Sequence, residues 1–220
     1  MNGGKSFVSG VLAGACIALG GVAYLSVSSK ALGALIFCVG LFSIYTLGLS
    51  LFTGKVCYVF FARERSYVLS LPLIWLGNLA GAALVALAAG ATRLGGDLAR
   101  QAAQLCQIKL DDGWLSLFLL GVLCNLFIYI AVEGFQQSPH QIGKYLAIFF
   151  GVTGFILSGY EHCVADMFYF TMAGLWSWDT LLRLLVITLG NAVGGVAFAL
   201  VRSWLSGDQR ERGPPANSPL

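Results

Sequence analysis

Charge is scarce in this sequence. Asp, Glu, Lys and Arg make up 10% of its 220 residues, against about 25% in a soluble domain. So few charges cannot cover a water-facing surface, which excludes a soluble globular protein. The net charge is only +3, and the basic residues are scattered rather than clustered, so no nucleic-acid surface is expected. Histidine is scarcer still, with only His140 and His162. Haem and quinone proteins need several histidines inside the membrane, which leaves a membrane redox or quinone subunit as the weaker alternative. The six cysteines form no CxxC and no Cys/His ligand spacing, so they read as small apolar residues in helices, and no metal or other cofactor is expected. Paired Asn-Pro-Ala motifs are missing, which excludes an aquaporin-type channel for neutral solutes. An ATP-binding glycine loop is also missing, which excludes an ATP-driven machine, and no enzyme activity is expected. No cleavable leader is evident.

What is present is hydrophobicity, at 58% of residues and a mean hydropathy of +0.81. A spanning helix needs about 20 apolar residues, and six segments qualify: 7–27, 31–61, 68–91, 114–134, 143–174 and 180–204. The expected fold is an all-α integral membrane domain over 1–205, followed by a disordered cytoplasmic tail over 206–220. Segments two and five are too long for one straight span. Each carries polar residues near its middle, around Ser50–Lys55 and Ser158–Asp166, with Gly54 and Gly159 beside the interruptions. Segments three and six share "LGN" plus small residues. The chain therefore reads as two repeats of three helices, about 7–91 and 114–204. Three is odd, so the second repeat enters the membrane from the opposite side. Paired broken helices in such inverted halves point to a transport site near the midplane, because freed backbone is tolerated only inside protein or along a polar cavity.

Both termini are expected in the cytoplasm. That places Lys5, Arg63, Arg65, Lys144, Arg202, Arg210 and Arg212 inside, and Lys30, Arg93, Arg100, Lys109 and Arg183 outside, with Lys55 left within segment two. Glycines at 10, 14, 77, 81, 190 and 194 predict close helix packing, within one protomer or between protomers.

"LFTGK" at 51–55, "LGN" at 76–78, "GVLCNLFIYIAV" at 121–132, "SGYEHCVADMF" at 158–168 and "LGN" at 189–191 together resemble the formate/nitrite transporter family, in order and over nearly the whole chain. The resemblance implies an aquaporin-like homopentamer in the bacterial inner membrane, with one pore per protomer. It implies small monovalent weak-acid anions as partners: formate first, with nitrite or hydrosulfide as the alternatives. By matching motifs, the substrate pore falls on His162, Thr53, Asn125 and Lys109, and the constrictions fall on Phe37, Leu41, Leu51, Ile128 and Phe155. Two departures stand out. Ser50 replaces an expected acidic residue, and Asp166 replaces an expected Asn, in company with an unusual Lys55.

The residues carry their own reading beside this. Ionisable side chains inside a membrane are rare and mark functional sites, and His162 is one. A bare anion in a dry pore is costly, and protonation to the neutral acid removes most of that cost. Burial favours neutral His162, which makes water the expected proton source. Glu161 is expected to be structural, as an acceptor for backbone N–H groups or as a subunit contact. Asp166 is expected either to orient His162 or to form an ion pair with Lys55. Lys109 reads as a solvated loop lysine or as part of an electrostatic funnel for anions. Asn78 and Asn191 are expected to cap the broken helices.

Overall fold

Six long apolar helices account for the six segments. In the computed structural model, which describes residues 3–207, they are α1 (Gly3–Leu25), α2 (Lys30–Leu47), α4 (Arg65–Gly90), α6 (Trp114–Gln137), α7 (Gln141–Ser158) and α9 (Trp178–Leu205). All six are long and apolar enough to cross a membrane. Two short helices follow the interrupted spans: α3 (Phe52–Val56) after α2, and α8 (Cys163–Ala173) after α7. Neither is long enough to span. No strand occurs among the described residues. The expected tail lies outside the described residues from position 208 onward.

The breaks have a local cause. α2 ends at Gly48 with φ +69°, and α7 ends at Gly159 with φ +72°. Both are left-handed caps, which glycine adopts without steric cost. The second half matches expectation. In the first half the breaking glycine is Gly48, because Gly54 lies inside α3 in ordinary helical backbone.

A ninth helix, α5 (Gly95–Asp111), falls where a loop was expected. It is amphipathic and too polar for a membrane-spanning pattern to reveal it. Leu98, Ala102, Cys106 and Lys109 form its buried face, spaced four, four and three apart, as a helical stripe requires. That face packs on α8.

α1 packs on α4 in the first half, and α6 packs on α9 in the second. The backbones nearly touch. A Cβ at Gly81 would lie 1.8 Å from the Val11 carbonyl oxygen, and one at Gly194 would lie 2.2 Å from the Val122 carbonyl oxygen. The glycines therefore serve packing within one protomer. Gly81→Val should cost about 3 kcal/mol, the upper part of the usual overpacking range, read as a lower thermal midpoint in detergent. Gly96→Ala, where the added Cβ meets nothing within 4 Å, should leave the midpoint unchanged.

Candidate functional site

The four residues between α2 and α3, and the four between α7 and α8, interrupt the helical hydrogen-bond ladder. Asn78 on α4 repairs the first gap. Its Oδ1 accepts from the Phe52 N–H at 2.9 Å, and its Nδ2 donates to the carbonyls of Ser50 (3.1 Å) and Gly10 (2.8 Å). Asn191 on α9 repairs the second in the same way. Its Oδ1 accepts from the Cys163 N–H at 2.9 Å, and its Nδ2 donates to the carbonyls of Glu161 and Gly121, both at 2.8 Å. Phe52 and Cys163 are each the first residue of their short helix. Both asparagines are fully buried and cap the breaks as expected.

The repaired gaps bring Thr53 and His162 together. Thr53 Oγ1 lies 2.9 Å from His162 Nε2. His162 is the N-cap of α8, and its Nδ1 accepts the Ala165 N–H at 3.2 Å. An accepting Nδ1 carries no proton, so the ring is neutral with its proton on Nε2. Nε2–H then donates to Thr53 Oγ1, and the threonine hydroxyl proton is left to point elsewhere. Asn125 on α6 fixes the threonine backbone, with its Nδ2 donating to the Thr53 carbonyl at 3.1 Å. Its own Oδ1 is buried without a hydrogen-bond partner.

A cavity of about 180 Å³ leads to this pair from one side, lined by Lys30, Lys109, Tyr24, Phe37, Phe155 and His162 among others. The Phe155 ring stacks on the His162 ring with centroids 5.6 Å apart, and Phe37 meets Phe155 edge-on at 6.4 Å. Phe37 and Phe155 therefore sit where a solute would reach the histidine. Leu41, Leu51 and Ile128 are buried in the apolar core and do not line that cavity.

Three expectations need correction. Asp166 does not pair with Lys55: its Oδ1 lies 3.1 Å from Lys109 Nζ. The reason is register. Lys55 and Asp166 are each the fourth residue of their short helix, and those helices pack differently. Both lie against α4, but α8 also packs along α5, which supplies Lys109, whereas α3 packs on α6 and α9. Glu161 is neither a backbone acceptor nor exposed for a subunit contact, because its carboxylate takes the Lys109 ammonium. Lys109 is neither in a loop nor solvated. It is 9% exposed on α5. Burial alone would pull its pKa down, but the Asp166 and Glu161 carboxylates outweigh burial and hold it above the ordinary lysine value.

Other polar residues support the site without any motif to mark them. Arg183 on α9 donates to the carbonyls of Lys109 (2.9 Å) and Asp112 (2.7 Å), tying the end of α5 in place. A second polar cluster joins α6 to α9, where Glu133 takes both the Tyr58 hydroxyl (2.6 Å) and Arg202. The wide spacing of such pairs in sequence gives no local signal.

A family model described as formate/nitrite transporter matches residues 1–205. The chain belongs to the formate/nitrite transporter family. Among curated relatives it is 28% identical to the formate channel FocA of Haemophilus influenzae, over 86% of this chain and 82% of that one. It is 30% identical to the nitrite transporter NirC of Salmonella typhimurium, over 96% of this chain and 86% of that one. It is 36% identical to formate-nitrite transporter 2 of Toxoplasma gondii over 74% of this chain, and the match spans 38% of that longer protein. A solved structure described as a pentameric formate channel with formate bound aligns with a TM-score of 0.82 at 28% identity, over 93% of this chain and 97% of that one. The chain is thus a multi-pass membrane protein of a channel and transporter family.

Asn191→Leu would orphan the Cys163 N–H and two carbonyls, at about 1–3 kcal/mol for each buried group left unpaired. The expected result is a lower thermal midpoint in detergent than that of the wild-type chain.

Proposed function

We propose that the chain conducts small monovalent weak-acid anions, formate first, past the Thr53–His162 pair, passively or together with a proton. The observation that carries this is the hydrogen bond between Thr53 and neutral His162 beneath the Phe37–Phe155 contact. Nε2–H is committed to Thr53 Oγ1, so the threonine hydroxyl is free to donate to a passing oxygen or sulfur. The unpartnered Asn125 Oδ1 offers an acceptor nearby in the chain's core, which suits a neutral acid rather than its anion. Phe37 and Phe155 form one constriction in this reading, and Leu41, Leu51 and Ile128 form the other. The two halves, about 7–91 and 114–204, are one channel domain with inverted topology and cytoplasmic termini, assembled as a homopentamer in a bacterial inner membrane. Nitrite and hydrosulfide are the competing substrates, since relatives carry both formate and nitrite in their names.

Proteoliposomes should take up formate, nitrite or hydrosulfide but not glycerol; uptake of glycerol alone would overturn the reading. Thr53→Val removes a hydroxyl donor, worth about 0.5–1.5 kcal/mol toward a neutral acid, so uptake should fall about two- to tenfold.

Lys109 is charge-compensated, so attraction of anions to the mouth falls to Lys30, an exposed cation at the cavity rim. Lys30→Gln should slow uptake at low salt, and the difference from wild type should fade as salt is raised.

A further inference from the structure

The buried charges beside the site do not balance. Lys109 brings one ammonium to two carboxylates, Glu161 and Asp166, and none of the three is more than 9% exposed. With both carboxyls ionised this buried cluster carries one uncompensated negative charge, a costly state. A separate observation bears on the same point. Asp166 Oδ2 is buried with no hydrogen-bond partner, although a carboxylate oxygen is a strong acceptor. The Asp166 and Glu161 carboxyls are brought side by side by the same Lys109 ammonium. A proton on Asp166 Oδ2 answers both problems. It neutralises the cluster, and it removes the lone charge from an orphaned acceptor. Two carboxyls forced together commonly share one proton in this way. The family resemblance leads one to expect Asn at position 166, and an amide has no such proton, so this is a property of this chain.

We propose that Asp166 and Glu161 hold one exchangeable proton against Lys109, and that this pair passes it to an anion entering the cavity. The proposal rests on the weak-acid reading above. In the step, a lone pair of the anion forms a bond to the proton. The carboxyl O–H bond breaks, and its electron pair stays on the carboxylate. The products are the neutral acid and a cluster at net charge −1, which the outer solution reprotonates. The same cavity wall carries Lys109, Glu161, Asp166, Phe155 and His162, so the acid forms on the approach to the constriction rather than inside it. The negative cluster left behind repels a second anion until it regains a proton, which couples one proton to each anion.

Other titratable groups face the cluster. Cys106 comes from α5 beside Lys109, Tyr24 from α1, Tyr169 and Cys163 from α8, and Cys124 from α6. Arg183 from α9 bonds the backbone of Lys109 rather than the carboxyls. Among these the two carboxyls are the groups whose charge count requires a proton.

The test uses the full chain in lipid nanodiscs and infrared difference spectra taken during a pH titration. Wild type should show a protonated-carboxyl band near neutral pH that shifts in heavy water, disappears on alkaline titration and is missing in Asp166→Asn. In proteoliposomes, formate uptake by Asp166→Asn should fall about tenfold at mildly alkaline pH, with the gap closing in acid, where the solution itself supplies protons. A wild type without the band, or a variant-to-wild-type ratio that is the same at every pH, overturns the proposal. Should Asp166→Asn fail to assemble, Glu161→Gln leaves one carboxyl balanced against Lys109, and a band that persists there overturns it equally. If wild type moves none of the three anions, the functional reading fails, while the band still decides whether the proton is held.

Discussion

Backbone polarity in an apolar setting is the constraint on which the rest of this structure depends. Two apolar helices end at Gly48 and Gly159, and each end exposes amides and carbonyls that an apolar setting cannot satisfy. Asn78 and Asn191 resolve this, each reaching from a neighbouring helix to bond one N–H and two carbonyls. They can reach because glycines on α1, α4, α6 and α9 let those helices approach to backbone contact. Small residues, close packing, asparagine caps and interrupted helices are therefore parts of one solution.

The site follows from that solution. The gaps hold Thr53 and His162 within hydrogen-bonding distance, and the histidine caps the helix it begins. Its Nδ1 is consumed in that capping, which sets the ring's tautomer without any further partner. Asp166, in the first turn of α8, occupies the place where the helix dipole favours negative charge. That favourable position still leaves the carboxylate dependent on Lys109 from α5.

Much of this was legible along the chain. The six spans, the two interruptions, His162 as an ionisable residue in an apolar run, and the capping asparagines all carry local signals: long apolar runs, a polar residue inside one, or a repeated "LGN"; Thr53 as a pore residue came with the family resemblance. What was not legible has a common cause. α5 hides because its surface is mixed: one face is buried and the other is exposed and polar. Gly48 outranks Gly54 because only the backbone torsion tells which glycine ends a helix. The Lys55–Asp166 pairing failed because both residues occupy the same register in their own half, and matching positions in two repeats are not thereby neighbours.

By itself, the sequence determined that the chain has six apolar membrane spans, and that its motifs are those of the formate/nitrite transporters. Hydrophobic length and glycine chemistry act locally, so composition and order suffice for them. Only the tertiary structure decided which buried charges meet. An ion pair depends on the distance between helices far apart in sequence. Here that distance placed Lys109 between Glu161 and Asp166, leaving two carboxylates to one ammonium beside the histidine.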